Sequence, residues 1–150
     1  MTARSRLLGV DFGTVRVGLA ICDSEHIISS PLATYQRRNE ALDGDYFRKL
    51  VEAEQIGGLV VGLPVHMSGD EGEKAKQARE FGTWLAKVTS LPVVFWDERY
   101  TSKIAEGHLR QAGLSHQRRK DRRDKVAAQI LLQSYIEAGC PTESRIEPMG

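Results

Sequence analysis

The sequence predicts an α/β protein built on a five-stranded mixed sheet with helices on its faces. Two apolar segments near the start are separated by a hairpin-like spacing, and helical and strand-like segments alternate after them. The chain has 150 residues, of which 41% are hydrophobic and 27% charged, which is typical of a globular protein with a buried core. No repeat or linker is visible, so we expect a single domain over 1–150, with its core at about 7–138 and a loose tail after Gly139.

The strands are predicted from short apolar runs that end at turn residues. The first two should be antiparallel, because only a short turn around Gly13 separates them. Pro31 favours an edge position or a bend in the third strand, since proline cannot donate a hydrogen bond to a neighbour. The fourth is apolar without interruption, which is typical of a strand buried on both faces. In chain order the predicted strands are Leu7–Asp11, Val17–Cys22, Ile27–Tyr35, Gly58–Gly62 and Val93–Trp96.

The helices are predicted from apolar residues that recur about every 3.6 positions. Ser68 and Glu71 have the spacing of a capping box, so the second helix should begin near Gly69. Thr101 or Ser102 can cap the third helix. The predicted helices are Asp45–Gln55, Gly69–Val88, a third that ends near Gly113, and Arg123–Ala138.

Carboxylates follow two of the predicted strands at the point where each strand ends. Asp11 closes the first strand, and Asp97 and Glu98 follow the fifth. Two strands that each end in a carboxylate can bring both carboxylates to one point. Converging carboxylates without a histidine cluster are typical of a hard-cation site, most simply Mg²⁺. The alternative for Asp11 is that it only starts an Asx-type turn before Gly13. The pattern indicates a metal-dependent phosphodiesterase.

Asp97 and Glu98 cannot point the same way while the strand continues, because successive side chains face opposite sides of a sheet. We expect one of them to bind metal and the other to orient Arg99 or another neighbour of the site. The residues leave open which acid does which. A surface ion pair with Arg99 is the alternative for at least one of them.

A fourth acid, Asp124, opens the predicted last helix. It shares a helical stripe with Ala128, Leu131 and Tyr135, which places it at the border of the buried face. The alternative is that Asp124 only complements the positive end of the helix dipole. Asp121 competes with it as a plain helix cap.

The loop after the first strand has the residues of a phosphate contact. Gly13 lets the backbone turn tightly and approach a ligand, while Thr14 and Arg16 supply a hydroxyl and a guanidinium. The same Asp-x-Gly-Thr pattern occurs in actin-like ATPases and sugar kinases. An ATP-binding protein is therefore a competing hypothesis, although that architecture needs two such domains and 150 residues supply only one.

Positive charge is concentrated in one part of the chain. Residues 103–125 contain eight Lys or Arg against three Asp or Glu, a local charge of +5, so the rest of the chain carries −4 of the net +1. A basic loop from Ser115 to Arg123 is expected within this segment. Such a run beside an acidic site favours attraction of a nucleic-acid backbone, and a solvated surface is the alternative.

These residues occur together in an order that resembles the YqgF family, the Holliday-junction-resolvase-like proteins also described as pre-16S rRNA nucleases. The resemblance extends from about Leu7 to Ala138. It is carried by Val10-Asp-Phe-Gly-Thr14 with Arg16 and Gly18, Val61-Gly-Leu-Pro64 with Gly69, Asp97-Glu-Arg99 with Thr101 and Ser102, and Asp124 before Ala127-Ala128 and Ile130-Leu131.

The resemblance implies a ribonuclease-H-like fold and metal-dependent hydrolysis of a phosphodiester in structured nucleic acid. It implies that the catalytic acids, which would also bind Mg²⁺ or Mn²⁺, are Asp11, Asp97, Glu98 and Asp124. Loops and basic residues are expected to hold the substrate. These expected contacts are Gly13, Thr14, Arg16, Gly62, Pro64, Gly69, Arg99, Thr101, Arg119, Lys120 and Arg122.

The implied function is processing of the 5′ end of pre-16S rRNA during ribosome biogenesis. The alternatives are a Holliday junction resolvase acting on DNA and a non-catalytic RNA-binding factor in ribosome maturation or transcription. The two cysteines, Cys22 and Cys140, have no metal-ligand spacing and suit free thiols in a reducing cytoplasm. We expect a cytoplasmic monomer or weak homodimer without membrane contact.

Overall fold

The fold is described from a computed structural model that covers residues 5–66, 68–100 and 116–148, with the backbone alone for 100 and 116–123. The predicted helix from Thr101 or Ser102 to Gly113 lies outside these residues. The described elements are β1 (Arg6–Asp11), β2 (Arg16–Cys22), β3 (Ser29–Gln36), α1 (Glu40–Ala53), β4 (Ile56–Leu63), α2 (Glu73–Thr89), β5 (Val93–Asp97), a 3₁₀ turn (Glu98–Tyr100) and α3 (His116–Glu137).

The five strands form one mixed sheet in the order β3-β2-β1-β4-β5. The β1–β2 and β2–β3 pairs are antiparallel, and the β1–β4 and β4–β5 pairs are parallel. This confirms the antiparallel first pair and the edge position expected from Pro31. Because β1, β4 and β5 run the same way, their carboxyl ends lie at one edge of the sheet, and we call this edge the C-terminal edge.

The alternation of side chains divides the sheet into two faces. One face carries Leu8, Val10 and Val61, which pack in a cluster with α1 and α2 around Phe47. The other face carries Ala20, Val60 and Val94, which pack against α3. We call them the α1/α2 face and the α3 face. By the same alternation, Asp11 belongs to the α3 face and the next residue, Phe12, to the α1/α2 face.

The last helix begins earlier than predicted, since α3 starts at His116 and not at Arg123. The expected basic loop from Ser115 to Arg123 is therefore wrong for residues 116–123, which are helical. Arg, Lys and Gln are good helix formers, and no Gly or Pro interrupts residues 116–138. Dense positive charge therefore does not by itself indicate a loop, since it is compatible with a helix.

The first two helices begin at residues other than the predicted Asp45 and Gly69. α1 begins at Glu40, because the Asn39 side chain caps it by accepting a hydrogen bond from the Leu42 N–H. α2 begins at Glu73, after Gly72 as the N-cap residue, without a side-chain capping bond. The capping box predicted from Ser68 and Glu71 is thus wrong. Glu71 instead forms an ion pair with Arg79 at 2.7 Å.

The segment after Gly139 contacts the sheet, in contrast to the loose tail that the sequence predicts. Ile146 and Val93 exchange two backbone hydrogen bonds of 2.7 and 2.9 Å. The Ser144 hydroxyl donates to the Phe95 carbonyl at 2.6 Å. The segment therefore covers part of the β5 edge, which would otherwise expose unpaired backbone groups. No helix in the described ranges is long and apolar enough to cross a membrane.

The α3 helix approaches the sheet closely because two strand positions lack a side chain. A Cβ atom on Gly18 would lie 1.9 Å from the Asp124 carbonyl oxygen. A Cβ on Gly9 would lie 2.9 Å from the Leu132 Cβ and 3.0 Å from the Ala128 carbonyl oxygen. The helix backbone therefore rests directly on β2 and β1, and this contact sets the height of Asp124 above the sheet.

Replacing Gly18 with alanine should destabilise the protein, because the added methyl group collides with backbone that cannot rotate away. We expect the free energy of unfolding to fall by about 1–3 kcal/mol or more. Urea unfolding followed by circular dichroism measures it. Gly44→Ala is the matched control, since its Cβ would meet only the flexible Arg48 side chain at 3.4 Å inside α1. That change should be neutral or stabilising by about 0.5–1 kcal/mol; equal losses for both variants would contradict the close contact.

Candidate active site

Three carboxylates converge at the C-terminal edge, on the α3 face. Asp11 is the last residue of β1, Glu98 follows β5, and Asp124 lies in α3. The Asp11 and Glu98 side chains share a hydrogen bond, and Asp124 is close enough to Asp11 to repel it electrostatically. The structure thus brings together acids that are up to 113 residues apart in the sequence.

Burial and mutual repulsion make these carboxyl groups hard to ionise. Burial raises the pKa of Asp11 well above its usual range, and the neighbouring Glu98 and Asp124 raise it further. Burial also raises the pKa of Glu98, with a contribution from the charge of Asp97, while the hydrogen bond from Asp11 opposes the rise. A hydrogen bond between two carboxyl groups requires a proton on one of them. The pair therefore holds a proton up to a higher pH than isolated carboxyls do.

Gly62 creates the space that Glu98 occupies. This residue of β4 lies on the α3 face between Asp11 and Glu98, and a Cβ there would be 2.8 Å from the Glu98 Cδ. Any larger residue would push the Glu98 carboxylate out of its position. The structure therefore places Gly62, predicted as a substrate contact, directly beneath one of the acids.

Arg16 holds the third acid. Its Nε donates to the Asp124 Oδ2 at 2.8 Å, and the two side chains are 27% and 23% exposed. Arg16 is the first residue of β2 and shares the α3 face with Gly18. The turn before it is tight, because a Cβ on Gly13 would lie 2.3 Å from the Arg16 carbonyl oxygen. Arg16 therefore neutralises Asp124 and fixes its direction.

Asp97 takes a different direction from Glu98. Its Oδ1 accepts from the Arg99 N–H and its Oδ2 from the Arg99 Nε, both at 2.8 Å. Asp97 and Arg99 line a cleft on the opposite side of β5, together with Gly69. The sequence left open which of the two acids joins Asp11, and in this structure it is Glu98. Alternation along β5 explains the result, since Val94 and Trp96 already face α3.

The other residues predicted to hold substrate lie farther from the three acids or outside the description. Pro64 lines a separate cleft with His66 and Lys74. Thr14 lines a cleft on the α1/α2 face. Arg119, Lys120 and Arg122 lie in the first turns of α3, where only the backbone is described, and Thr101 lies outside the described residues.

The role of Gly9 in the close approach of α3 to the sheet was not predicted from the sequence. The available signal was a glycine inside a strand, which often marks close approach of another backbone.

The chemistry of the donors fits a hard divalent cation, although the acids are not arranged as ligands. Among the described residues, no three His, Cys, Asp or Glu side chains are grouped closely enough to hold a metal ion as they stand. Asp124 is engaged by Arg16, and Asp11 and Glu98 share a proton. Carboxylate oxygens are nevertheless the ligands that Mg²⁺ and Mn²⁺ prefer, and a cation would relieve the repulsion among the three acids.

Comparison with solved structures identifies the fold of this protein. The structure is similar to RuvC of Thermus thermophilus in complex with a Holliday junction substrate, with a TM-score of 0.55 and 14% identity over 95% of this chain and 99% of that chain. A second Thermus thermophilus RuvC structure aligns with a TM-score of 0.56 and 13% identity over 96% and 99% of the two chains. These likenesses confirm the ribonuclease-H-like fold.

The family follows from the sequence comparisons. The RuvX family model, described as Holliday junction resolvase, matches residues 5–138. A Rhodopirellula baltica protein is 44% identical over 91% of this chain and 79% of its own length, and one from Syntrophomonas wolfei is 39% identical over 89% and 95%. Both carry the name "Putative pre-16S rRNA nuclease". The chain belongs to the RuvX family, which confirms the resemblance to YqgF and the expectation of a nuclease.

Replacing Asp11 with asparagine should stabilise the metal-free protein near neutral pH. Because the folded-state pKa of Asp11 is raised, its contribution to stability is full below the unfolded-state pKa and is lost as the pH rises through the folded-state pKa. Asparagine does not incur this loss. In EDTA we expect a higher urea midpoint for Asp11→Asn than for wild type near neutrality, and a gap that closes towards about pH 4.

Asp23→Asn is a control for which the expected change in stability has the opposite sign. Hydrogen bonds from the backbone N–H groups of Ile28 and Ile27 lower the pKa of Asp23. Asp23→Asn should therefore destabilise the protein at neutral pH, with a difference that shrinks as the pH falls through the folded-state pKa. A midpoint for Asp11→Asn at or below that of wild type near neutrality would be inconsistent with the buried carboxyl pair.

Proposed function

We propose that this protein is a metal-dependent nuclease that processes the 5′ end of pre-16S rRNA in the cytoplasm. The observation that carries the proposal is the buried Asp11–Glu98 pair with Asp124 close by, at the C-terminal edge of a ribonuclease-H-like sheet. The names of the curated relatives support the choice of RNA. The whole chain, 1–150, acts in this proposal as a single nuclease domain.

Asp11, Glu98 and Asp124 would hold Mg²⁺ or Mn²⁺. A bound divalent ion polarises phosphoryl oxygens and lowers the pKa of water at the site. Asp11 and Glu98 would first release the proton that they share, since metal ligation requires the carboxylate form. We assign the metal-binding part to Glu98 and a positioning part to Asp97, which fixes Arg99.

The basic residues would place the nucleic-acid backbone. Arg16 would exchange Asp124 for a phosphate oxygen when the substrate binds, and Arg99 would contact a second phosphate from the neighbouring cleft. Gly13 and Thr14 would supply close backbone contacts at the turn after β1. The first turns of α3, with Arg119, Lys120 and Arg122, would add contacts that do not depend on sequence. Such contacts predict binding that weakens with salt.

Cleavage of junction DNA is the second candidate. The description of the RuvX family and the Holliday junction complex of RuvC favour it. A two-fold junction is best matched by a symmetric dimer. Processing of a precursor rRNA is compatible with a monomer. A 5′-extended rRNA precursor and a four-way DNA junction, compared with one enzyme preparation in Mg²⁺ and in Mn²⁺, separate the two substrates.

Removing the metal-binding acids should remove cleavage. We expect Asp11→Asn, Glu98→Gln and Asp124→Asn each to lower the single-turnover rate about 100-fold or more, because charge stabilisation at the phosphate is lost. Asp97→Asn should cost only about 10-fold, since it acts through Arg99. Circular dichroism checks that each variant is folded. Normal cleavage by Asp11→Asn, or equal losses for the Asp97 and Glu98 variants, would overturn these assignments.

Arg16 and a divalent ion should compete for Asp124. We expect Arg16→Gln to bind Mn²⁺ about 2- to 5-fold more tightly without substrate, since a partly exposed ion pair no longer has to be broken. Mn²⁺ titration followed by electron paramagnetic resonance measures the affinity. The same variant should cleave more slowly, because a phosphate contact is missing. Arg48→Gln, which breaks the exposed pair with Asp45, is the control and should change neither quantity.

A further inference from the structure

The cleft that Thr14 lines lies at the C-terminal edge, on the opposite face of the sheet from the acids. Its volume is about 590 Å³, enough to admit a nucleotide-sized group. Phe12 and Thr14 line it from the loop after β1, Arg37 from the segment before α1, and Phe81 and Trp84 from α2. The metal-binding acids take no part in it, because Asp11 and Phe12 point to opposite faces.

Aromatic rings form a continuous shelf in this cleft. The Phe12 and Phe81 ring centroids are 4.8 Å apart with an interplanar angle of 38°, and those of Phe81 and Trp84 are 5.5 Å apart at 32°. Phe81 is buried, whereas Phe12 and Trp84 are half-buried and keep surface open to the cleft. The Trp84 Nε1 donates to the Glu40 Oε1 at 3.1 Å, which holds the indole in place. The open parts of Phe12 and Trp84 give the cleft an aromatic wall on which a planar ligand can stack.

A planar cation lies over two of the rings in this shelf. The Arg37 guanidinium carbon lies 5.4 Å from the Phe12 centroid and 5.1 Å from the Phe81 centroid. Its Nε is buried and has no hydrogen-bond partner within the described part of the chain, and the Asp43 Oδ2 is 3.6 Å away. Asp43 already accepts from the Tyr35 hydroxyl and the Arg38 N–H. Arg37 therefore forms only a long ion pair with Asp43, and its side chain remains 31% exposed at the cleft.

The polar lining favours a base over a phosphate. Two arginines, Arg37 and Arg38, share the cleft with three carboxylates, so its charge does not attract an anion strongly. Two of its α2 residues, Gln77 and Glu80, present an amide and a carboxylate. These groups pair with the donor and acceptor edges of nucleobases. Aromatic faces with an adjacent arginine are the usual platform for unpaired bases.

We propose that this cleft binds an unpaired nucleobase of the substrate, from a nucleotide that flanks the cut phosphodiester. The inference rests on the proposed nuclease function and specifies its substrate. Since Asp11 and Phe12 are consecutive, a strand that passes over the Gly13 turn can present a phosphate to the acids and a neighbouring base to the shelf. The enzyme then requires an unpaired nucleotide next to the cut, and continuous duplex is a poor substrate.

The test is a binding cycle with full-length protein in EDTA, so that no cleavage occurs. The probes are a short single-stranded RNA and a set in which one nucleotide at a time is abasic. One abasic position should weaken binding to wild type by about 5- to 100-fold, the range for loss of one stacked base. The same abasic RNA should bind Trp84→Ala no more weakly than the intact RNA does. Equal abasic penalties for wild type and variant at every position would overturn the proposal.

Milder variants keep the test valid if Trp84→Ala does not fold. RNA binding should quench tryptophan fluorescence in wild type and in Trp96→Phe, but not in Trp84→Phe, because Trp96 lies on the α3 face against Tyr135. Arg37→Gln should reduce the abasic penalty as well. Quenching that persists in Trp84→Phe, or ribose 5-phosphate competing as well as a nucleoside monophosphate, would count against a base site.

The outcomes separate this inference from the proposed function. A positive binding cycle in EDTA, together with no cleavage in Mg²⁺ or Mn²⁺, would support the base site and contradict the nuclease. Metal-dependent cleavage that is lost in Asp11→Asn, together with equal abasic penalties in wild type and Trp84→Ala, would support the nuclease and contradict the base site.

Discussion

The contact of α3 with the sheet is the constraint on which the site depends. A helix normally stands off a sheet by the length of the side chains between them, but Gly9 and Gly18 remove that spacing. The Asp124 backbone therefore rests on β2, and its carboxylate comes within electrostatic reach of Asp11. Gly62 of β4 also lacks a side chain, and this leaves room for the Glu98 carboxylate. The positions of Asp124 and Glu98 therefore depend on glycines that leave room for them.

The site is electrostatically costly without a cation, and the structure offsets the cost in two ways. Asp11 and Glu98 keep a proton between them, while Arg16 neutralises Asp124. In the proposed reaction both arrangements would reverse, since a divalent ion would replace the proton and a phosphate would compete for the guanidinium. The groups that offset this cost in the metal-free protein are then the ones that would respond to metal and substrate. We regard this exchange as the physical link between the fold and the proposed reaction.

Much of the fold followed from the sequence, because apolar runs and turn residues report strands locally. The sequence also predicted the acids at strand ends. It could not choose between Asp97 and Glu98, since that choice depends on which face of β5 meets α3. The start of α3 was misjudged because a basic run suits both a loop and a helix. The cleft was missed because Phe12, Arg37 and Trp84 are far apart in sequence and only packing unites them.

The central claim is that Asp11, Glu98 and Asp124 form one metal site on the α3 face. The most direct measurement is a crystal structure with Mn²⁺, in which anomalous scattering locates the ion independently of any assay. We expect Mn²⁺ bound by oxygens of these three residues, with Arg16 released from Asp124 and Asp97 still paired with Arg99. An ion on the Asp97 side of β5, or one bound without Asp11, would contradict this claim.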